Sequence, residues 1–217
     1  MATEQEIKQV VGKVMDKVRQ RYTVGTGGKV FAGATSRSSS PSMDFKPRKY
    51  AGGGAGTSDS PDEMVKAARA AQKELLDLGI EKRYELIASM RKAAMEAARH
   101  LGEMGVRETG IGKMPDKMMK VELAARKTPG PEIIHPQAFT GDQGLTLVEK
   151  APYGVMVSIT PTTNPPSTVV NNSISMVSAG NAVIINPHPN AKEVSCEAAR
   201  VMQNAISAAG GPKNLVS

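Results

Sequence analysis

The chain has 217 residues, of which 40% are hydrophobic and 23% are charged, with one Cys and a formal net charge of +7. A single Cys excludes a disulfide framework or a Cys-based zinc site, and no apolar run is long enough to cross a membrane. The basic excess lies in residues 1–57, with ten Lys and Arg against four Asp and Glu, so we predict no nucleic-acid partner for the remaining, nearly neutral chain.

Residues 1–22 and 23–60 differ in composition. In residues 1–22, apolar residues recur with the i, i+3, i+4, i+7 spacing of one helical face, which predicts an amphipathic helix. Residues 23–60 contain eight Gly and seven Ser, with too little apolar surface to offset the entropy of ordering, so a flexible linker is predicted. A helix on such a linker is suited to binding another molecule, and docking on its own domain is the alternative.

Three helices are predicted in the next part of the chain. Ser60, Pro61 and two acidic residues form a helix start, with a capping hydroxyl and negative charge at the positive end of the helix dipole. Ala-rich segments then favour close helix packing, and the run that begins at Pro129 ends the third helix. The predicted helices span residues 61–77, 81–101 and 115–127.

The periodicity changes after residue 140. Residues 145–149 alternate like a strand and follow a Gly-rich turn at 141–144, which predicts a hairpin. Strand and helix then alternate, which predicts an α/β fold with a parallel sheet. A chain that stops inside its third such strand is expected to be a fragment of a longer protein. The predicted strands span residues 155–160, 182–185 and 215–217, and the helices between them span 166–179 and 191–209.

Two polar loops follow the carboxyl ends of these strands, where open α/β sheets bind ligands. One runs from Thr160 to Pro166 and the other from Asn186 to Pro189. Three Pro residues stiffen the first loop, and neither loop has the Gly-x-Gly-x-x-Gly pattern of a usual pyrophosphate cradle. From the residues alone, these loops predict a ligand site of unspecified nature.

Four motifs, in order along the chain, carry a more specific resemblance. They are Glu108-Thr109-Gly110-Ile111-Gly112, Lys127-Thr128-Pro129-Gly130, Thr160-Pro161-Thr162-Thr163-Asn164-Pro165 and Asn186-Pro187-His188-Pro189. Over residues 60–217 the chain resembles the aldehyde dehydrogenase superfamily, in its CoA-acylating branch. The resemblance implies that residues 61–217 are the first part of a Rossmann-like NAD-binding domain. It also implies oxidation of a short-chain aldehyde, such as acetaldehyde or propionaldehyde, to acyl-CoA with NAD and coenzyme A.

The resemblance assigns a catalytic role to Asn164. In the family, the matching side-chain amide donates a hydrogen bond to the oxygen of the thiohemiacetal. A preorganised neutral donor of this kind stabilises the charge that develops on that oxygen. The alternative is an Asn that only caps a Pro-rich loop, and no metal-binding residue is implied.

The same resemblance implies that both loops contact the cofactor. The first loop resembles the wall beside the nicotinamide ribose. The second loop lies where ordinary members of the family bind the adenosine ribose through a Lys and a Glu. Both residues are missing here, which fits the CoA-acylating branch. His188 is expected either to stack on or hydrogen-bond a nucleotide or to be an ordinary loop histidine. The cofactor-binding candidates are Thr160, Pro161, Thr162, Asn186, Pro187 and His188.

The family attacks the aldehyde with a Cys, and Cys196 is the only Cys in this chain. It lies near the start of a predicted helix, well before the region where the family places its nucleophile, so we predict a buried or half-buried structural residue. The nucleophile is expected beyond Ser217, and the 217 residues alone are expected to be inactive. His100 and His135 have no partner carboxylate or Cys at a catalytic spacing, and both are assigned to the surface or a loop.

The N-terminal helix and linker resemble the encapsulation peptide that directs such enzymes into bacterial microcompartments. The resemblance implies a shell or cargo protein as partner of residues 1–22 and a cytoplasmic location inside a microcompartment, which suits the single Cys. The hairpin at 145–149 resembles the family's oligomerisation arm, which implies a homo-oligomer. The competing hypothesis is a non-catalytic interaction and targeting module with a vestigial dinucleotide fold.

Overall fold

A computed structural model of the chain describes residues 60–217. The helix predicted at 1–22 lies outside the described residues, as do residues 23–59 of the linker predicted at 23–60. The first three helices pack into one hydrophobic core with the two that follow. They are α1 (Pro61–Asp77), α2 (Gly79–Thr109) and α3 (Met114–Lys127), followed by a single 3₁₀ turn at Pro131–Ile133.

Helix α1 has the predicted bounds, whereas α2 is longer than the predicted 81–101. The prediction ended α2 just before Gly102, a residue of low helix propensity. In the structure Gly102 is a buried residue inside the helix. Helix α3 packs so closely here that a Cβ on Gly102 would lie 3.0 Å from the backbone nitrogen of Met118. The helix ends instead at Gly110, which adopts φ 66° and accepts the left-handed conformation without a steric penalty.

The predicted hairpin is confirmed, and its first strand was not foreseen. Strands β1 (Gln137–Gly141) and β2 (Gly144–Val148) pair antiparallel, with Gly141 opposite Gly144 at the turn. Every residue of both strands is exposed, including the apolar Phe139 and Leu145.

The second half of the described chain has the predicted alternation of strand and helix. Strand β3 (Val155–Thr160), helix α4 (Pro165–Ser178), strand β4 (Ala182–Pro187) and helix α5 (Lys192–Ala208) follow in order. Strands β3 and β4 are parallel, with Val155 opposite Ala182. The last residues add a third parallel element, because Val216 bridges to Val183 on the other side of β4. The predicted α/β fold with a parallel sheet is therefore confirmed.

The two main strands, β3 and β4, differ in how far they are buried. In β4, Ala182 to Ile185 are all buried, as expected for the inner strand of a parallel sheet. Strand β3 is buried on one side only, and its side chains at Val157 and Ile159 are exposed. No helix within residues 60–217 is both long enough and apolar enough to cross a membrane.

Candidate functional site

The carboxyl ends of β3 and β4 lie side by side and bring the two predicted loops together. Thr160, the last residue of β3, pairs in register with Pro187 of β4. Directly after that pair, the backbone N–H of His188 donates to the Thr160 carbonyl at 3.1 Å. Two motifs read separately from the sequence thus form one edge of the sheet, where parallel α/β sheets bind ligands.

This edge presents polar groups that can form further hydrogen bonds. The Thr160 hydroxyl is buried and has no hydrogen-bond partner within the described residues. His188 accepts a hydrogen bond on Nδ1 from the backbone N–H of Asn190 at 3.1 Å, which leaves its other ring nitrogen for a further contact. Asn186 is exposed, and in the other loop Pro161 is exposed and Thr162 is half-buried.

Glu108, which is distant from this edge in sequence, stabilises the helix that follows the second loop. Helix α5 begins directly after the second loop, and the side chain at its own N-cap, Ala191, makes no capping hydrogen bond. The Glu108 carboxylate accepts the backbone N–H groups of Glu193 at 2.8 Å and Val194 at 2.7 Å. A negative charge at a helix N-terminus also interacts favourably with the helix dipole. The first motif of the resemblance therefore caps α5.

Asn164 stands at the start of α4, but its side chain does not cap the helix. The backbone carbonyl of Asn164 accepts from the N–H of Thr168 at 3.0 Å and from its hydroxyl at 2.7 Å, which begins the helical hydrogen-bond pattern. The side chain makes no capping hydrogen bond. The side chain therefore does not cap α4, and the choice between a catalytic donor and a structural loop residue stays a prediction.

The side-chain amide of Asn164 is held by α3. The ammonium group of Lys120 donates to Asn164 Oδ1 at 3.0 Å. The amide nitrogen Nδ2 makes no hydrogen bond to any residue between 60 and 217. One turn earlier on α3, Lys117 donates to the backbone carbonyl of Thr163, the residue just before Asn164. Lys117 is only 4% exposed. Burial, together with the nearby charge of Lys120, lowers the pKa of the Lys117 ammonium group.

A groove of about 480 Å³ lies between α3 and the first turns of α4. Among residues 60–217, its lining contains two Lys residues and no acidic residue. The helices are also tied by a 2.9 Å hydrogen bond from the Thr128 hydroxyl to Asn171 Oδ1. Such a surface favours a ligand that carries or develops negative charge. The lining residues include Lys120, Leu123, Lys127, Asn164, Ser167 and Thr168.

Cys196 has the character predicted for a structural residue. It lies half-buried on α5 and is not part of the groove lining. Burial raises the pKa of its thiol, although the charges of Lys192 and Arg200 act in the opposite direction. A thiol with a raised pKa is a poor nucleophile, because the thiolate is the reactive form.

The two other histidines lie at the surface, as predicted. His135 is exposed in the loop before β1. His100, also exposed, lies on α2 with Nε2 3.9 Å from a carboxylate oxygen of Glu197 on α5. This surface contact arises because the packing of α5 beside α2 brings together residues distant in sequence, and it leaves the assignment of His100 to the surface unchanged.

The sequence prediction missed Lys117, Lys120 and the capping role of Glu108. The two lysines stand three residues apart, so they lie on neighbouring parts of one helix face. That spacing alone is also typical of a solvated face. Their partners lie 46 and 44 residues away, and nothing in the local sequence indicates them.

These features together define an α/β domain whose parallel strands end at a polar edge, with the Asn164 side chain lining a groove between α3 and α4. The sequence model of the aldehyde dehydrogenase family matches residues 32–217, and the chain belongs to this family. The predicted family resemblance is thereby confirmed.

Similar proteins include an acetylating acetaldehyde dehydrogenase and two propionaldehyde dehydrogenases. The chain is 50% identical over 157 residues to the acetylating acetaldehyde dehydrogenase of Escherichia coli strain K12, covering 72% of this chain and 33% of that protein. The propionaldehyde dehydrogenase from the Clostridium phytofermentans fucose utilisation bacterial microcompartment is 41% identical with a TM-score of 0.72, covering 75% of this chain and 37% of that one. Rhodopseudomonas palustris propionaldehyde dehydrogenase with bound propionyl-CoA gives a TM-score of 0.72 and 41% identity, with 75% and 36% covered. The chain spans about a third of the length of these relatives.

Proposed function

We propose that this chain is the part of an NAD-dependent, CoA-acylating aldehyde dehydrogenase that supplies the oxyanion donor and part of the nucleotide site. The proposed substrate is a short-chain aldehyde, acetaldehyde or propionaldehyde, as the names of the relatives suggest. The observation that carries the proposal is the Asn164 amide. Lys120 engages its oxygen, and its nitrogen remains available to donate at the rim of the groove.

The chemistry of an acyl transfer needs such a donor. When a thiol adds to an aldehyde, negative charge develops on the former carbonyl oxygen. A donor already in place stabilises that charge without reorganising, and loss of one such donor typically lowers kcat by about 10²–10³. The absence of acidic residues from the groove lining supports this use, because a carboxylate there would repel the developing charge.

The edge formed by β3 and β4 is the proposed place for the nucleotide. The buried hydroxyl of Thr160 and the second ring nitrogen of His188, both without a partner in the described part of the chain, fit the hydroxyl groups of a ribose. When bound, NAD⁺ supplies the electron acceptor and coenzyme A the acyl acceptor of the overall reaction. The residues proposed to hold the nucleotide are Thr160, Pro161, Thr162, Asn186, Pro187 and His188.

The thiol nucleophile is proposed to be a Cys outside this chain. Cys196 does not suit the role, because its thiol pKa is raised and it lies outside the groove that Asn164 lines. Asn164 would then act on a substrate that a different part of the enzyme attacks.

The test is CoA-dependent reduction of NAD⁺ by the natural-length gene product, with acetaldehyde and propionaldehyde as substrates. We expect Asn164→Ala to lower kcat by about 10²–10³. The matched control is Asn204→Ala, an exposed Asn on α5, and it should leave kcat unchanged, as should Cys196→Ala. Activity that survives Asn164→Ala but disappears in Cys196→Ala would overturn the assignment. No activity in the unaltered protein would favour the non-catalytic targeting module instead.

We also propose that residues 1–22 direct the protein to a bacterial microcompartment in the cytoplasm, with residues 23–60 as a linker and residues 61–217 as the folded part. The microcompartment origin of one similar structure supports this proposal. The partner of residues 1–22 would be a shell or cargo protein. The exposed apolar side chains of the β1–β2 hairpin, such as Phe139 and Leu147, support its proposed role in forming a homo-oligomer.

A further inference from the structure

An asparagine can serve as an oxyanion donor only when its amide points the right way. The side chain carries one acceptor, Oδ1, and one donor group, Nδ2, and rotation by half a turn exchanges them. The backbone of Asn164 is fixed by its bonds to Thr168, but those bonds do not choose between the two amide orientations.

The contact with Lys120 selects one of the two orientations of the Asn164 amide. A lysine ammonium group has three donors and no acceptor, so it can pair only with Oδ1. The flipped amide would place its own N–H groups against a positive charge. The 3.0 Å contact from Lys120 to Oδ1 therefore commits Nδ2 to the opposite side of the amide.

Lys117 fixes the chain just before this amide. Its ammonium group donates to the Thr163 carbonyl, so consecutive loop residues are held from consecutive turns of α3. Close packing brings these turns near the loop. The aliphatic part of Lys117 passes over Gly112, where a Cβ would lie 2.8 Å from Lys117 Cε. On the other side, Gly102 lets α2 approach the backbone of α3 at Met118.

We propose that Lys117 and Lys120 form a two-point clamp, in which Lys117 holds the loop and Lys120 sets the amide of Asn164 with Nδ2 as the outward donor. Lys120 is thus a positioning residue for the proposed reaction and acts through Asn164. The inference rests on the proposed function for its catalytic consequence, whereas the orientation of the amide can be measured without any reaction.

The direct test measures the mobility of the Asn164 side-chain NH₂ group in the full chain by ¹⁵N relaxation. In the unaltered protein we expect an order parameter near the rigid limit of about 0.85, and in Lys120→Met a value below about 0.6. Lys120→Arg keeps a side chain that can only donate, so it should restore the rigid value. Lys92→Met, at an exposed lysine on α2, is the matched control and should change nothing.

The kinetic test uses the natural-length gene product. We expect Lys120→Met to lower kcat by about tenfold with KM for NAD⁺ unchanged, and Lys120→Arg to recover most of the loss. In an Asn164→Ala background, Lys120→Met should have no further effect, because the group that it orients is gone.

Two results would overturn the clamp. One is an unchanged order parameter in Lys120→Met, and the other is a double variant whose losses multiply as if the residues acted independently. Should the unaltered protein oxidise no aldehyde, the proposed function fails, and the order parameter alone then decides whether the clamp exists.

Discussion

Removal of the Glu108 carboxylate should destabilise the fold by weakening the start of α5. The side chain accepts two backbone N–H groups, from Glu193 and Val194, in the first turn of the helix, where backbone N–H groups have no acceptor within the helix itself. Loss of an ordinary capping side chain costs about 0.5–2 kcal/mol, and loss of a favourable charge on the dipole adds about 0.3–1 kcal/mol. We therefore expect Glu108→Ala to lower the free energy of unfolding by about 2 kcal/mol.

Glu108→Gln separates the two contributions. A glutamine keeps one acceptor oxygen and loses both the charge and the second oxygen, so about half of the destabilisation should remain. For a chain of this size, about 2 kcal/mol corresponds to a decrease in Tm of about 4–8 °C. Urea and thermal denaturation followed by circular dichroism measure both quantities. The control is Glu96→Gln, at an exposed carboxylate on the same helix α2.

Hydrogen exchange locates the effect. If Glu108 caps α5, the amide protons of Glu193 and Val194 should exchange faster in Glu108→Ala, while those in the middle of α5 follow only the global loss. Equal stability of Glu108→Ala and Glu96→Gln, or unchanged exchange at Val194, would refute the reasoning.

Two further predictions concern pH and targeting. The Arg91 guanidinium, 2.9 Å from the Glu132 carboxylate, lowers the pKa of that carboxyl, so the pair stabilises the fold above about pH 4.3 and the stabilisation is lost as the pH falls through the lowered pKa. In urea denaturation, the excess stability of the unaltered protein over Glu132→Gln should shrink on acidification, and a constant difference would contradict this. Deletion of residues 1–22 should abolish localisation to the microcompartment and leave aldehyde oxidation intact, as cell fractionation and the coupled assay would show. A deletion that prevents folding would instead mean that this segment belongs to the domain.

Elements set by their own residues were predictable. Helix α1 begins where expected because Ser60 precedes Pro61 and its hydroxyl accepts from the N–H of Glu63 at 3.4 Å. Strand β3 has the predicted bounds because a short apolar run ends at Pro161, which cannot donate to a strand ladder. In both cases the decisive signals lie within a few residues of the boundary.

Elements set by packing were not predictable in the same way. The end of α2 depends on α3, which fills the space beside Gly102 and makes a small residue useful inside a helix. The role of Glu108 depends on α5, 85 residues later in the chain. The motif that contains Glu108 could be recognised, but its physical task appears only when α2 and α5 lie side by side.

In the candidate site, local sequence and packing both act on one side chain, that of Asn164. The position of Asn164, after a strand end and before a helix, follows from the local sequence, whereas its assignment as a donor came from the family resemblance. In the proposed clamp, the direction in which its amide donates depends on Lys120, 44 residues earlier, because the side chain makes no capping hydrogen bond that would fix it. The Asn164 side chain does not cap its helix, and the Lys120 ammonium group that contacts it can only donate. This side chain is therefore more constrained than that of a loop asparagine without a partner. The structure therefore leaves the amide nitrogen of a residue at a helix start without a partner within residues 60–217, as the proposed donor role requires.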